Sequence, residues 1–246
     1  MTKIAVTFAL PAESSEFLRR LRDRTGIDRN GIRISRGKID DQMIEVIHTG
    51  VGEEVCRQRV ARFLSATGRI RRGEQDQQFD LLISTGFAGA LSDELKVGDL
   101  LLAKNFSTID LKQAHSLLSS LLIHPIDLLT VSAMIDSSEE RERIARESGA
   151  AAVDMETEFI ARACADHGVP LLSLRVITDT PREAFPAPAH ILFDVAKQRT
   201  DLGKLAGFFL MHPQRVPHLL AFARKITRAR KILADALFQV LHNIER

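Results

Sequence analysis

Short apolar runs alternate with amphipathic stretches over the first 180 residues of the chain. Three largely apolar runs predict buried strands at 4–9, 81–85 and 171–177. Shorter runs predict further strands at 31–36, 43–49, 97–103, 128–134 and 151–154. Helical spacing and cap signals predict helices at 16–24, 53–66, 137–148 and 156–167. This alternation favours one α/β domain over residues 1–246, with a mixed but mostly parallel central sheet and helices on both faces.

Two stretches have no clear periodicity. Residues 68–78 are polar and charged, which predicts an exposed loop. Residues 106–125 are rich in Leu and Ser, and we expect them to cover one end of the sheet.

The C-terminal region, 194–246, has a helical pattern of its own. Its apolar residues fall mostly three or four positions apart: Leu219, Phe222, Ala223, Ile226, Leu233, Leu237, Val240 and Ile244. From Arg215 onward it carries seven basic residues against two acidic ones, a net charge of +5. One interpretation is a helix packed on the sheet with a solvated basic face. The other is a peripheral contact with an anionic membrane surface, in which the apolar residues 208–211 take part.

Composition excludes several classes of protein. The 246 residues, 45% of them hydrophobic, are enough for a full core, and a net charge of +2 gives no general attraction to nucleic acid. Cys56 and Cys164 predict reduced thiols and no disulfide. The N-terminus has no signal-peptide pattern, and no apolar run approaches the roughly 20 residues of a membrane span. We therefore expect a cytoplasmic protein, at most peripheral to the inner membrane face.

Cofactor motifs are missing from the sequence. The eight histidines show no metal-ligand spacing. A Walker-type loop and a Rossmann glycine pattern are both absent. We expect neither a metal nor an organic cofactor.

Two apolar runs each lead into a carboxylate. The segment Ala152–Thr157 places Met155 and Glu156 at the mouth of a helix, and Asp179 follows the strand at 171–177. Ligands of α/β sheets bind at the carboxyl ends of the strands. Partial burial would raise the pKa of Asp179, so that this side chain could donate a proton near neutral pH. The alternative for Asp179 is a structural turn or helix cap.

Glu156 and Glu13 each have a structural and a chemical interpretation. At a helix start, either side chain could complement the positive end of the helix dipole. The carboxylate of Glu156 can also accept two hydrogen bonds from a cis-diol, and these are strong because the acceptor is charged. Cleavage of an N-glycosidic bond needs such a grip on the sugar, an acid for the departing base and a nucleophile on the opposite face.

These segments, together with Glu13 and the run Thr85–Leu91, resemble the purine nucleoside phosphorylase and nucleosidase superfamily. The resemblance covers roughly residues 3–180 and is strongest over 150–179. It implies a single three-layer α/β domain that binds a small purine nucleoside. Closed symmetry and the habit of the superfamily make a homodimer the expected assembly.

The resemblance also implies roles for individual residues. Asp179 would protonate the purine ring, and Glu13 would activate the attacking water. Glu156 would bind the ribose hydroxyls, with Met155 against the ribose face. The remaining expected substrate contacts are Val51, Gly86, Phe87, Ala88, Gly89, Met134, Asp154 and Arg175.

The chain departs from the superfamily pattern in two places. Phe87 and Ala90 stand where relatives carry a hydroxyl residue and a second glycine. The stretch before the strand at 128–134 is short, and the motif whose Phe stacks on the base is missing. Met134 and Phe106 are the candidates for that stacking, since the chain has no Trp or Tyr. The short cover implies an open pocket around the 5′ substituent.

Hydrolysis of an adenosine-type nucleoside, like methylthioadenosine or adenosylhomocysteine, is the favoured function because Glu13 is available as a base. The first alternative is phosphorolysis, with inorganic phosphate as co-substrate held by backbone amides and Arg57 or Arg36. The second is a non-catalytic nucleoside-binding protein, which Phe87 favours. A narrower resemblance to the hopanoid-associated branch of the superfamily implies adenosylhopane as the substrate.

Overall fold

The computed structural model describes residues 2–65, 79–109, 118, 121–183, 185–195, 198 and 200–244. The strands are β1 (Ile4–Phe8), β2 (Arg22–Arg29), β3 (Ile32–Ile39), β4 (Gln42–His48), β5 (Leu81–Ala90), β6 (Leu100–Ala103), β7 (Ile123–Ile126), β8 (Leu128–Thr130), β9 (Ala152–Asp154) and β10 (Leu171–Asp179). The helices are α1 (Pro11–Arg20), α2 (Glu53–Ser65), α3 (Ser138–Ser148), α4 (Thr157–Asp166), α5 (Ala189–Leu192), α6 (Leu202–Met211) and α7 (Val216–Ile244). A 3-10 turn, Pro213–Arg215, joins the last two helices.

The apolar runs form a mixed sheet with the strand order β2-β3-β4-β1-β5-β10-β6-β7. The central strands β4, β1, β5 and β10 are parallel, while β2, β3 and β6 run antiparallel to their inner neighbours. At its far end, β5 also pairs antiparallel with β9, which carries β8. Every residue of β1 and β10 is buried, which is why both strands are rich in apolar residues; the buried polar members of β10, such as Arg175 and Asp179, lie at or near the site.

Helices cover both faces of the sheet. Successive residues of β1 point to opposite faces, so that Val6 joins the core under α1 and α7 while Ala5 joins the core under α2 and α4. The three layers confirm the predicted fold class. Cys56 and Cys164 lie in the second core as free thiols, and burial raises the pKa of both, so they stay protonated.

The first helix and the strand that follows it, β2, differ from the prediction. The predicted helix at 16–24 is wrong in its bounds, because α1 begins at Pro11 and ends at Arg20. Proline is favourable there, since the first helical turn has no partner for its N–H groups. Residues 22–29 form the edge strand β2, which is mostly exposed and polar. The sequence of β2 has no apolar alternation, so this segment becomes a strand only because it pairs with β3.

Three strand bounds also change. The glycine-containing segment predicted as a turn is strand, because β5 continues to Ala90 and pairs there with β9 and β10. β6 begins only at Leu100, and β8 ends at Thr130. The loop predicted at 68–78 lies outside the described residues. So does half of the cover predicted at 106–125, namely residues 110–117, 119 and 120; the end of that segment forms part of β7.

The C-terminal region is helical, and its two long helices differ in burial. In the second half of α7, Leu233, Leu237 and Val240 are fully buried in the core under α1. In α6, Phe209 is buried while its neighbour Leu210 is exposed. Among the described residues, no helix is long and apolar enough to cross a membrane.

Candidate active site

Four chain segments meet at the carboxyl edge of the parallel strands, where α/β sheets bind ligands. The helix after β1 carries Glu13 in its first turn. β5 and β10 run side by side, and a bulge near the end of β10 places Asp179 opposite Gly89. β9, paired with the end of β5, delivers Glu156 to the same edge. These segments enclose a cavity of about 300 Å³.

Asp179 is held by a buried arginine. Arg141 Nη2 lies 2.5 Å from Asp179 Oδ2, and the other guanidinium contacts are the carbonyl oxygens of Ala90 and Ile135, at 2.7 and 2.8 Å. The hydroxyl of Thr178 donates to Asp179 Oδ1 at 3.0 Å. Burial raises the pKa of Asp179, although the Arg141 cation opposes that rise. Asp179 can therefore carry a proton, and Arg141 stabilises the carboxylate that remains after the proton leaves.

Glu13 is buried with one oxygen bonded to the backbone. The N–H groups of Ala9 and Leu10 donate to Oε2 at 2.9 and 3.3 Å. Burial raises the pKa of Glu13 from 4.5 to about 7, against the lowering effect of these hydrogen bonds. A Cβ on Gly86 would lie 3.2 Å from Oε2, so the glycine makes room for the carboxyl group. Glu13 can thus accept or release a proton near neutral pH.

Glu156 is the third buried carboxyl group. Its Oε1 accepts a hydrogen bond from the N–H of Gly52 at 3.2 Å. Burial raises the pKa of Glu156, and the negative charges of Asp154 and Glu13 raise it further. Neighbouring carboxyl groups oppose each other's ionisation, so Glu13 and Glu156 together retain a proton more readily than either would alone.

The loop at residues 50–52, which contacts Glu156, is fixed by Gln198 from the C-terminal part of the chain. Gln198 Oε1 accepts from the N–H of Val51 at 2.7 Å, and Gln198 Nε2 donates to the carbonyl of Val51 at 2.8 Å. Gly50 and Gly52 have φ angles of +79° and +87°, a conformation that glycine adopts without strain. The loop is therefore positioned by both its own glycines and a distant amide side chain.

A hydrogen-bond network lies beneath the cavity. Arg175 Nε lies 3.0 Å from Asp154 Oδ2, and Arg175 Nη2 donates to the hydroxyl oxygens of Ser84 and Thr157 at 2.8 and 2.6 Å. The carboxylate of Asp154 also accepts from Thr130 Oγ1 at 2.8 Å and from the N–H of Thr157. These bonds fix the turn before α4, and so position the residues at its start.

Most of the predicted site residues line the cavity. They are Glu13, Val51, Phe87, Ala88, Gly89, Met134, Asp154, Met155, Glu156 and Asp179. Gly86 and Arg175 do not, because Gly86 lies behind Glu13 and Arg175 belongs to the network below. Phe106, the other candidate for stacking on the base, packs against a core cluster beside β6.

Sequence reasoning missed Arg141 and an apolar wall. The wall comes from the C-terminal part of the chain and consists of Phe185, Leu192, Phe193, Val195, Phe222 and Ile226. Helical spacing placed Phe222 and Ile226 on one face but could not say what that face contacts. Arg141 gave no signal, since α3 carries several arginines and only its fold neighbours bury this one.

Metal ligation is not supported by the described part of the chain. No group of three or more His, Cys, Asp or Glu side chains within it could hold a metal ion.

The family comparison matches the model described as the phosphorylase superfamily at residues 3–127 and 123–209. The chain belongs to the phosphorylase superfamily. This match confirms the superfamily that the motifs around Asp179 and Glu156 predicted. The protein is thus placed among enzymes of the nucleosidase and phosphorylase type, as the same motifs predicted.

Solved structures of this superfamily share the fold. A 5′-methylthioadenosine/S-adenosylhomocysteine nucleosidase from Campylobacter jejuni is 18% identical, with a TM-score of 0.69 over 99% of this chain and 100% of its own. Futalosine hydrolase of Helicobacter pylori is 17% identical, with a TM-score of 0.70 over 98% of both chains. The nucleosidase from S. pneumoniae, solved with the transition-state inhibitor MT-ImmA, is 20% identical, with a TM-score of 0.67 over 98% of both chains.

Proposed function

We propose that this protein hydrolyses the N-glycosidic bond of an adenosine-type nucleoside. The observation that carries the proposal is the convergence of Glu13, Glu156 and Asp179 on one cavity of a phosphorylase-superfamily fold. Similar structures that are named nucleosidases and a hydrolase support the hydrolytic reaction.

Each of the three carboxyl groups has a different role in the cleavage of the N-glycosidic bond. Asp179 donates its proton to a ring nitrogen of the purine, and Arg141 stabilises the resulting carboxylate. Glu156 accepts hydrogen bonds from the ribose hydroxyls, while Met155 contacts the sugar. Glu13 removes a proton from the attacking water. The bond from the anomeric carbon to nitrogen breaks, a bond to the water oxygen forms, and the base leaves with the proton from Asp179.

The scarcity of free cationic side chains among the described lining residues favours water over phosphate as the nucleophile. Among the described residues that line the cavity, Arg141 is the only Lys or Arg, and its guanidinium is bonded to Asp179 and to two carbonyl oxygens. The arginines suggested for phosphate binding are engaged elsewhere, since Arg36 pairs with Glu45 and Arg57 pairs with Glu53. Among the described lining residues, a phosphate dianion would therefore meet no unpaired Lys or Arg.

We further propose that the 5′ substituent of the substrate is apolar. The wall formed by Phe185, Leu192, Phe193, Val195, Phe222 and Ile226 has no charged member among its described side chains. A methylthio group or a hydrocarbon such as that of adenosylhopane would bury apolar surface against it. The charged amino and carboxyl groups of adenosylhomocysteine would lose hydration there without gaining a partner.

The test is adenine release from methylthioadenosine, adenosylhomocysteine and adenosine, with and without phosphate. We expect phosphate-independent release that is fastest with methylthioadenosine. Asp179→Asn should slow it by about 10²–10⁴-fold, because the departing base loses its acid. Asp166→Asn, a change at an exposed aspartate, is the matched control. Strict dependence on phosphate, with ribose 1-phosphate as product, would establish phosphorolysis instead. Tight nucleoside binding without release would indicate a binding protein.

A further inference from the structure

Exposed apolar side chains are concentrated in one stretch of the chain. Eight large hydrophobic residues of the described chain are exposed, and six of them lie between 195 and 220: Val195, Leu202, Leu210, Met211, Val216 and Leu220. Leu210 and Met211 are 81% and 75% exposed. Such a cluster on the surface of a soluble fold marks a site of contact with another molecule or a membrane.

Five of these six residues, all but Val195, lie on α6 and α7, which the 3-10 turn joins into what we call the hairpin. Asp201 caps the start of α6 by accepting hydrogen bonds from two N–H groups of its first turn. Phe209 is buried, and α6 packs against α5. At the corner, the ring of Phe208 stacks on His212 at 4.5 Å, and the Arg215 guanidinium lies 5.9 Å from the same ring. We call the exposed side of residues 202–220 the hairpin face.

The charge of this region is one-sided. Residues 202–234 contain seven Lys or Arg and no Asp or Glu, whereas the whole chain is nearly balanced at 34 basic and 32 acidic residues. Lys204 and Arg215 are exposed on the hairpin face, and Arg224 and Arg228 follow on α7. Apolar side chains surrounded by basic ones are the surface chemistry that anionic lipid bilayers bind.

The hairpin face adjoins the candidate active site. Val195 is both exposed and part of the cavity lining. On α7, Phe222 and Ile226 line the cavity, and α6 packs against α5, whose Leu192 belongs to the same wall. The apolar wall of the cavity thus continues into the exposed apolar surface.

A second copy of the chain fits the hairpin face less well than a bilayer does. In a two-fold symmetric dimer the same patch meets itself. Lys204 and Arg215 of one subunit would then lie near Lys204 and Arg215 of the other. Like charges brought together in an interface repel each other, which is costly. An anionic surface would instead be attracted by both residues.

We propose that the hairpin face docks on an anionic lipid bilayer and opens the cavity towards it. Combined with the proposed function, on which this second part rests, the docking would let an apolar 5′ group pass from lipid into the site without crossing water.

The experiment is co-sedimentation of the full-length protein with phosphatidylcholine vesicles, with and without phosphatidylglycerol, at low and high salt. We expect binding to the vesicles that contain phosphatidylglycerol, weakened by salt. The double variant Leu210→Ser/Met211→Ser should bind at least roughly tenfold more weakly, because it removes the most exposed apolar groups. Leu122→Ser is the matched control, since Leu122 is 82% exposed in another part of the chain.

Charge is tested separately. Lys204→Gln/Arg215→Gln should weaken binding by roughly tenfold or more, whereas Arg33→Gln/Arg146→Gln, at exposed positions in β3 and α3, should not. The docking proposal fails if the wild-type protein ignores anionic vesicles, or if the control variants lose as much binding. It also fails if Leu210→Ser/Met211→Ser converts a dimer into a monomer, since the face would then be a subunit interface.

Adenine release from soluble methylthioadenosine, measured without vesicles, separates the two proposals. Failure of catalysis would overturn the proposed function and leave vesicle binding as a property of the surface. Failure of vesicle binding would leave the catalytic proposal intact.

Discussion

Burial determines the acidity of the single side chains in this site. Glu13, Glu156 and Asp179 all have a raised pKa, and loss of hydration is the largest cause for each. Their neighbours then distinguish them, since Asp179 has a cationic partner while Glu156 faces two other carboxyl groups. In the proposed mechanism the carboxyl group therefore serves in three ways, as an acid, as a ligand for hydroxyl groups and as a base.

Glu13→Gln should reveal the free-energy cost of ionising this group. With a folded pKa of about 7 against 4.5 in the unfolded chain, the stability that the protonated group confers is fully present below pH 4.5 and is lost as the pH rises through 7. Urea unfolding should therefore find wild type and variant similar at pH 4, and the variant more stable at pH 8 by up to roughly 3 kcal/mol.

Glu94→Gln, at an exposed position, is the control for that comparison and should show little pH-dependent difference. Adenine release by the wild type should rise with pH through about 7, because the ionised form of Glu13 is the base. A pH-independent stability difference, together with a flat rate profile below pH 8, would contradict the assignment of Glu13.

At the scale of elements, the site depends on how closely strands and helices approach. β5 carries small residues where it faces α1 and α3, which lets the carboxyl groups of Glu13 and Asp179 lie against its backbone. A Cβ on Gly89 would lie 2.8 Å from Asp179 Oδ2 and 3.2 Å from Arg141 Nη1. Those two side chains are buried and bonded to each other, so neither can move away cheaply.

Gly89→Ala should consequently displace the acid. We expect kcat for adenine release to fall by about 10²-fold, the effect of shifting a reacting group by about 1 Å. Gly26→Ala, in the exposed strand β2 where an added Cβ meets no atom within 4 Å, should keep wild-type activity. Unchanged kcat in Gly89→Ala would mean that the position of Asp179 does not limit the reaction.

At the scale of the whole molecule, one long helix links stability to the site. The first half of α7 contributes Phe222 and Ile226 to the cavity wall, and its second half is buried against α1 and the sheet. The helix α7 is therefore packed into the core of the domain. The exposed basic residues Arg224 and Arg228 lie in the first half of α7, which the core does not cover on that side.

Leu237→Ala and Leu220→Ala, made separately, compare the two halves of α7. Leu237 is fully buried, so its truncation should lower the free energy of unfolding by about 2–5 kcal/mol. Leu220 is half exposed, and its truncation should change that free energy by no more than about 0.5 kcal/mol. Urea denaturation measures both, and equal losses would contradict the described packing of α7.

Local patterns predicted most of the central sheet because strands buried on both faces are rich in apolar residues. They failed at β2, whose polar residues become a strand only through pairing with β3. They also failed at the end of β5, where glycines suggested a turn but close packing with β9 and β10 keeps the chain extended. Both failures have one cause, since backbone partners distant in sequence decided the local conformation.

The sequence by itself determined the superfamily, the alternation of strands and helices and the candidate carboxylates, because these are properties of residue type and spacing. Only the tertiary structure decided that Arg141 bonds to Asp179, that Arg175 lies beneath the cavity and that the C-terminal helices form its apolar wall. Contacts between residues far apart in the chain leave no periodic trace. Burial and electrostatic coupling, which set the chemistry of this site, arise from those contacts alone.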